Sequence, residues 1–158
     1  MPIKIRPMIT TDKVAVMGIL KVTTAFTPED VKIAEEVIDA YLADVKGSGY
    51  FIYIAESEGH VAGYLCYGPT PLTQGAWDYY WIATAPEHRG KGIGSTLLKL
   101  ADEYIRKVKG RLILIETSSN PHYDAARKLY TSLGYEIIST IPDFYSPGDD
   151  KLTFRKTL

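Results

Sequence analysis

The densest chemical signal in the chain is Arg89-Gly90-Lys91-Gly92-Ile93-Gly94-Ser95, where every second residue from Gly90 is glycine. Glycine enters backbone conformations barred to other residues and lets a ligand approach the main chain closely. If a helix starts here, its first N–H groups have no partner within the helix and point at one spot with the positive end of the dipole. Such a spot holds an anion, and a pyrophosphate fits it. Two nucleotide patterns fail on spacing. A mononucleotide loop needs Gly-Lys followed by Ser or Thr, and Gly90-Lys91-Gly92 breaks that rule. A dinucleotide fingerprint needs G-x-G-x-x-G, whereas the chain has G-x-G-x-G and is too short for a paired dinucleotide fold plus a substrate domain. His60, His88 and His122 are far apart, with no short ligand spacing to Cys66, so they read as surface or loop residues and no metal is expected. Cys66 has no histidine beside it in sequence and reads as a small buried hydrophobe, not a nucleophile.

The elements that must position this turn follow from local patterns. Ile3 to Pro7 alternates as a strand does, and Asp12 to Val22 predicts a weakly amphipathic helix. Thr27-Pro28-Glu29-Asp30 starts a second helix with a capping hydroxyl, proline at the first helical position and acids in the first turn. Val31, Ala34, Val37, Ile38, Tyr41, Leu42 and Val45 carry its apolar face as far as Gly47. Tyr50 to Ala55 and Val61 to Tyr67 are strands joined through Glu58-Gly59, and Trp77 to Ala83 is a third. The helix after the glycine turn has Ile93, Leu97, Ala101, Tyr104 and Val108 on one face. Arg111 to Ile115 is a short strand, and Pro121 to Leu133 is a helix closed by Gly134. Tyr135 to Ile141 and Lys151 to Leu158 are the last strands, with Pro142 to Asp150 as the loop between them. The order is β-α-α-β-β-β-α-β-α-β-β, an α/β chain with much antiparallel pairing and one βαβ crossover.

At 158 residues, with 46% hydrophobic and 23% charged, the chain suits one ordinary domain spanning 1–158 rather than a disordered segment. A net charge of -1 gives no basic face for nucleic acid. No apolar run reaches the roughly 18 residues that cross a bilayer, and one cysteine suits a reducing compartment. A cytoplasmic protein with no nucleic-acid or membrane partner is expected.

The turn and the element order together resemble the GNAT acetyltransferases. Arg89-x-x-Gly92-x-Gly94 matches that family's R/Q-x-x-G-x-G/A turn, Ile82 to Leu98 resembles its motif A, and the likeness covers essentially the whole chain. The resemblance implies a GNAT acyl-CoA N-acyltransferase fold, α/β (α+β), with a mixed, mostly antiparallel sheet flanked by helices. It implies transfer of an acetyl group from acetyl-CoA, without a metal, to a small-molecule or peptide amine in a ternary complex; a homodimer stays open. By the same resemblance, the backbone of Gly90, Lys91, Gly92, Ile93, Gly94 and Ser95, headed by Arg89, cradles the CoA pyrophosphate. Ile82 and Thr84 pair their backbone with the pantetheine arm as an added strand. The Lys91 side chain either adds a screened charge contact or is simply solvated.

An amine acceptor must lose a proton before it attacks, and the departing thiolate gains from a donor. Tyr130 lies in Ala126-x-x-Leu129-Tyr130-x-x-x-Gly134-Tyr135, similar to the family signature whose tyrosine donates to the sulfur. It also shares a helical face with Tyr123, Ala126 and Leu133, as a core residue would. The family's asparagine seven residues earlier is Tyr123 here, which leaves Asn120 to take its contact with CoA. Asp78, six residues before Thr84, matches a glutamate that acts as base in some members; an aspartate at a strand start in water is the competing reading. Glu87 reads as a solvated loop acid. Segments like Asp143-Phe144-Tyr145-x-Pro147-Gly148-Asp149-Asp150 recur in a subgroup of the family beside a strand end like Glu116-Thr117-Ser118-Ser119. Their acids and aromatics suit a cationic acceptor, although turn-forming Asp and Gly explain much of them. A non-catalytic acyl-CoA sensor on the same fold and, from another class, a mononucleotide-binding module are the alternatives.

Overall fold

The computed structural model describes residues 2–158; Met1 lies outside them. The strands are β1 (Lys4–Pro7), β2 (Phe51–Ser57), β3 (His60–Pro69), β4 (Ala76–Thr84), β5 (Leu112–Ser118), β6 (Glu136–Ser146) and β7 (Asp149–Thr157). The helices are α1 (Lys13–Val22), α2 (Pro28–Ala43), α3 (Ile93–Lys107) and α4 (Asp124–Ser132). The local signals explain their ends. Thr27 Oγ1 accepts from Asp30 N at 3.1 Å and the Asp30 carboxylate accepts from Thr27 N at 2.9 Å, a reciprocal cap that starts α2. Glu58 and Gly59 both have positive φ, 55° and 78°, the two-residue turn whose twist suits the β2–β3 hairpin. Gly134, at φ 91°, lies just past the end of α4.

The seven strands form one sheet in the order β1-β2-β3-β4-β5-β7-β6. All neighbours are antiparallel except β4 and β5. The sheet separates two cores. On one face Leu65, Tyr67, Trp77 and Ile113 meet Ile93, Leu97, Leu98 and Ile105 of α3. On the other, Ile52, Ile54, Tyr64 and Cys66 meet α1 and α2 through Val16, Leu20, Ala34 and Ile38. The alternation along β3 sends its neighbours to opposite cores, so this central strand is buried on both sides.

Three departures from the sequence pattern matter. The second helix ends at Ala43, leaving Val45 half exposed, and Val108 lies past the end of α3 and is also exposed. The predicted loop Pro142 to Asp150 is instead paired strand: β6 runs to Ser146 and turns through Pro147-Gly148 onto Asp149. Register slips between Ile141 and Ser146, where Asp143 takes φ 55°. The polar residues that look like loop chemistry serve this irregularity. Asp143 N donates to Asp150 Oδ1 at 2.9 Å, and Gly148 N donates to Asp143 Oδ1 at 2.8 Å. Third, β4 carries an extra residue. Tyr67 faces Tyr79 while Cys66 faces Trp81, which leaves Tyr80 as a bulge.

A buried carboxylate ties the base of this arrangement together. Asp102 of α3, 3% exposed, accepts from the hydroxyls of Tyr79 on β4 and Tyr135 before β6, and from Lys156 Nζ of β7 at 2.7 Å. Burial, then the neighbouring carboxylate and tyrosine, pushes both hydroxyls well above the ordinary tyrosine value, so they remain donors. Replacing Asp102 by Asn keeps the shape but removes the charge that Lys156 faces. The expected result is a loss of about 2–3 kcal/mol of unfolding free energy in urea titrations. A wild-type midpoint and slope would show that the network carries no net stability.

Candidate active site

The bulge at Tyr80 sets up the site. β4 and β5 run side by side only over Ala76–Tyr79 and Leu112–Ile115. Beyond Tyr79, β4 continues to Thr84 paired, among the described residues, with β3 alone, which leaves its other backbone edge free. A cavity of about 950 Å³ occupies the gap. Its walls come from the end of β4, the start of α3, the end of β5, the inner side of α4, the α1–α2 connection and the β6–β7 hairpin.

At one end the glycine turn has the expected geometry. Gly90 and Gly92 take φ 75° and 80°, a left-handed backbone that a side chain disfavours. Gly92 is the N-cap of α3, and among the described residues no side chain caps that helix. Its first N–H groups are therefore left for a ligand, with the dipole behind them. Gly94 packs so closely that a Cβ there would lie 2.9 Å from Leu129 Cδ2.

The cavity gathers most of the residues singled out in the sequence. Ile82, Thr84, Arg89, Gly90, Gly92, Ile93, Gly94, Ser95, Asn120 and Tyr130 all line it. Lys91 is exposed and does not line it. Asp78 is also kept out. It sits where β4 is still paired on both sides, opposite Gly68 and Leu114, and its carboxylate accepts from Thr70 Oγ1 at 2.6 Å. The tyrosine is better placed. Tyr130 is 4% exposed, packed edge-on to Phe154 with ring centroids 5.4 Å apart, and burial raises its hydroxyl well above the ordinary value. It is thus both core and cavity wall.

Residues 48–137, more than half of the chain, match the family model described as the acetyltransferase (GNAT) domain. The chain belongs to the GNAT family. A GNAT-family protein from Desulfovibrio desulfuricans is 35% identical, with a TM-score of 0.93 across 99% of both chains. An uncharacterized N-acetyltransferase of Methanocaldococcus jannaschii is 31% identical over 106 residues, 66% of this chain and 64% of that protein, so the match spans a little under two thirds of that curated relative. A protein from Salmonella typhimurium solved with its cofactor acetyl-CoA shares 20% identity and a TM-score of 0.77 over 100% of this chain and 95% of that one, which is a likeness of fold.

Several features of this GNAT site were not visible in its sequence. His88, read there as a surface or loop histidine, is 5% exposed at the end of the short turn Pro86–His88, and Nδ1 has no hydrogen-bond partner among the described residues. Thr117 Oγ1 is likewise buried and unpartnered. Both residues line the cavity, and unpaired buried polar atoms there fit an elongated ligand with amides along its length, as pantetheine has. Asn120 uses its side-chain oxygen to accept from His122 N at 2.8 Å, capping the short turn before α4. Tyr123, standing where the family has asparagine, reaches across the cavity instead. Its hydroxyl donates to Ala25 O at 3.2 Å, and Phe26 packs edge-on to Trp81 at 5.5 Å. The α1–α2 connection is thereby strapped over the gap.

Cys66 is fully buried in the other core, and burial pushes its thiol far above the usual range. It is absent from the cavity wall. Cys66→Ala should therefore keep more than about half of the acetyl-transfer rate, since only a small cavity in the core is created. Capture of an acetylated Cys66 that hands its acetyl group to an amine would overturn that expectation.

Proposed function

We propose that the protein is an N-acetyltransferase that moves the acetyl group of acetyl-CoA directly to an amine bound in the same cavity. The observation that carries this reading is the uncapped N-terminus of α3, opening into a cavity that continues along the free edge of β4 to Tyr130. The pyrophosphate belongs at that helix end, and the pantetheine arm against Ile82 and Thr84 as an added strand. Acetyl-CoA supplies a thioester carbonyl. The amine forms the C–N bond as the C–S bond breaks, and one proton leaves the nitrogen while another joins the departing sulfur. Tyr130, kept protonated by burial, is the donor.

Asp78 lies off the cavity, so the proton acceptor is sought among the carboxylates that line it. Glu116 is the first residue of β5 beyond its pairing with β4 and stands at the gap, held by Lys151 Nζ at 3.1 Å. The reading is tested by following thiol release from acetyl-CoA over a panel of amines, with heats of binding for CoA and ATP measured alongside. Amine-dependent thiol release is expected, with heat for CoA and none for ATP. Tight acetyl-CoA binding without turnover of any amine would make the protein a sensor, and preference for ATP would make it a nucleotide module. Glu116→Gln should lower kcat by about tenfold near neutral pH and recover at high pH, where the free amine forms unaided. A wild-type pH profile would remove Glu116 from the role.

A further inference from the structure

The two edges of the sheet are built differently. β1, at one end, has four residues: Lys4 and Arg6 are cations, and Pro7 lacks an N–H. A short, charged edge ending in proline keeps other strands from adding to it. β6, at the other end, has eleven residues, no lysine or arginine among them, and all are exposed. Among the described residues its outer edge pairs with nothing. Ile137, Ile138, Ile141, Phe144 and Tyr145 stand there between 44% and 52% exposed.

The apolar side chains lie on both faces of this strand. Ile137 is opposite Phe154 of β7 and Ile141 is opposite Lys151, and residues three apart on a strand point to opposite sides. On the side of Ile137, a groove of about 420 Å³ continues the apolar surface to Leu152 and Phe154, rimmed by Arg127 and Lys128 of α4. A helix laid on one face would leave the other face open. A strand added along the edge flanks both. Pro142 removes one donor, and register slips between Ile137 and Ser139, so side chains must supply most of such a contact.

We infer that β6 is the interface with a second copy of this chain, the two β6 strands lying antiparallel about a two-fold axis. A two-fold contact sets one patch against itself, so a single apolar strand supplies both sides. The five large side chains leave on the order of 500 Å² open per chain, near the upper end of what a monomer shows in one patch. With the six other exposed residues of the strand, the surface approaches the roughly 800 Å² per partner of a stable interface. The second copy also borders the cavity, because Tyr145 near the end of β6 lines its wall. The inference involves no catalytic step and stands apart from acetyl transfer.

Sedimentation velocity from about 1 to 100 µM protein tests it. The expected wild-type species has twice the 17.6 kDa mass of the chain. Ile138→Lys and Ile141→Lys should each raise the dissociation constant at least about 100-fold, since each charge enters a two-fold contact twice. Circular dichroism and CoA affinity should stay as in wild type, because neither residue lines the cavity. Val14→Lys, also at an exposed apolar position but on α1, should leave the dimer intact. A wild-type monomer at the highest concentration would mean that β6 meets a different partner or none, and overturns the proposal. A dimer that both β6 variants retain would place the interface elsewhere and overturns it too. If the variants do not fold, amide exchange of the wild type decides. Exchange in β6 should be slower at the higher protein concentration, and equal rates remove the interface.

Discussion

Gly92→Val is expected to weaken CoA binding by at least about 100-fold while leaving a folded protein. Gly92 holds φ 80° as the cap of α3, and a β-branched residue there is strained by about 1–2 kcal/mol or more. The turn escapes the strain by changing conformation, which turns its N–H groups away from the point they now share. Several hydrogen bonds to one pyrophosphate are then lost together, each worth about 1.5–3 kcal/mol when the acceptor is charged. Folding survives because α3 is anchored further along, by Leu97, Leu98, Ala101 and Ile105, all fully buried. Gly94→Val reaches the same end differently. Its backbone is ordinary helix, but the new side chain runs into Leu129 on the opposite wall and narrows the slot between α3 and α4. Calorimetry with CoA, beside circular dichroism of each variant, checks both. Wild-type affinity in the two variants would move the pyrophosphate elsewhere.

What the sequence made legible is what neighbouring residues decide. The cap at Thr27, the Glu58-Gly59 turn and the glycine run each need only a few consecutive residues, and each stands where its pattern predicts. The Tyr80 bulge is different. It depends on how β4 registers against β3, and Trp77 to Ala83 reads as an uninterrupted strand. That bulge lies where β4 parts from β5, and Asp78, six residues before Thr84, stands on the paired side of it and off the cavity. The Tyr123 strap joins residues 98 positions apart, and the Asp102 network brings together α3, β4, β7 and Tyr135 ahead of β6; no local pattern announces either. His88 illustrates the same limit. Its neighbours Glu87 and Arg89 are exposed, yet one turn of backbone carries it inward.

The β6–β7 hairpin shows how one stretch can satisfy both a structural and a functional reading. Asp143, Gly148 and Asp150 are consumed by the hairpin's own hydrogen bonds. Tyr145 and Asp149, from the same nine residues, line the cavity instead. Turn chemistry accounts for the first group, and only packing against β5 and the strap distinguishes the second.

Tyr130→Phe is expected to lower kcat by roughly 10–10³-fold with little change in CoA affinity. The substitution removes only an oxygen, and the ring contacts to Phe154 and Tyr135 at 5.4 and 6.4 Å centroid separation are retained, so stability should stay within about 1 kcal/mol of wild type. The pH dependence gives a second readout. Burial raises the Tyr130 hydroxyl, which favours its neutral form; the donor therefore stays protonated as pH rises through the ordinary tyrosine range. The wild-type rate should climb with pH as the acceptor loses its proton, without a fall near pH 10 from loss of the tyrosine proton. In Tyr130→Phe the same rise should persist at a lower level, because the acceptor still titrates while the sulfur has lost its donor. An alkaline fall that disappears in the variant would mean that the hydroxyl titrates in the ordinary range and is poorly shielded. An unchanged kcat would leave Tyr130 with packing alone, and the thiolate would then take its proton from water.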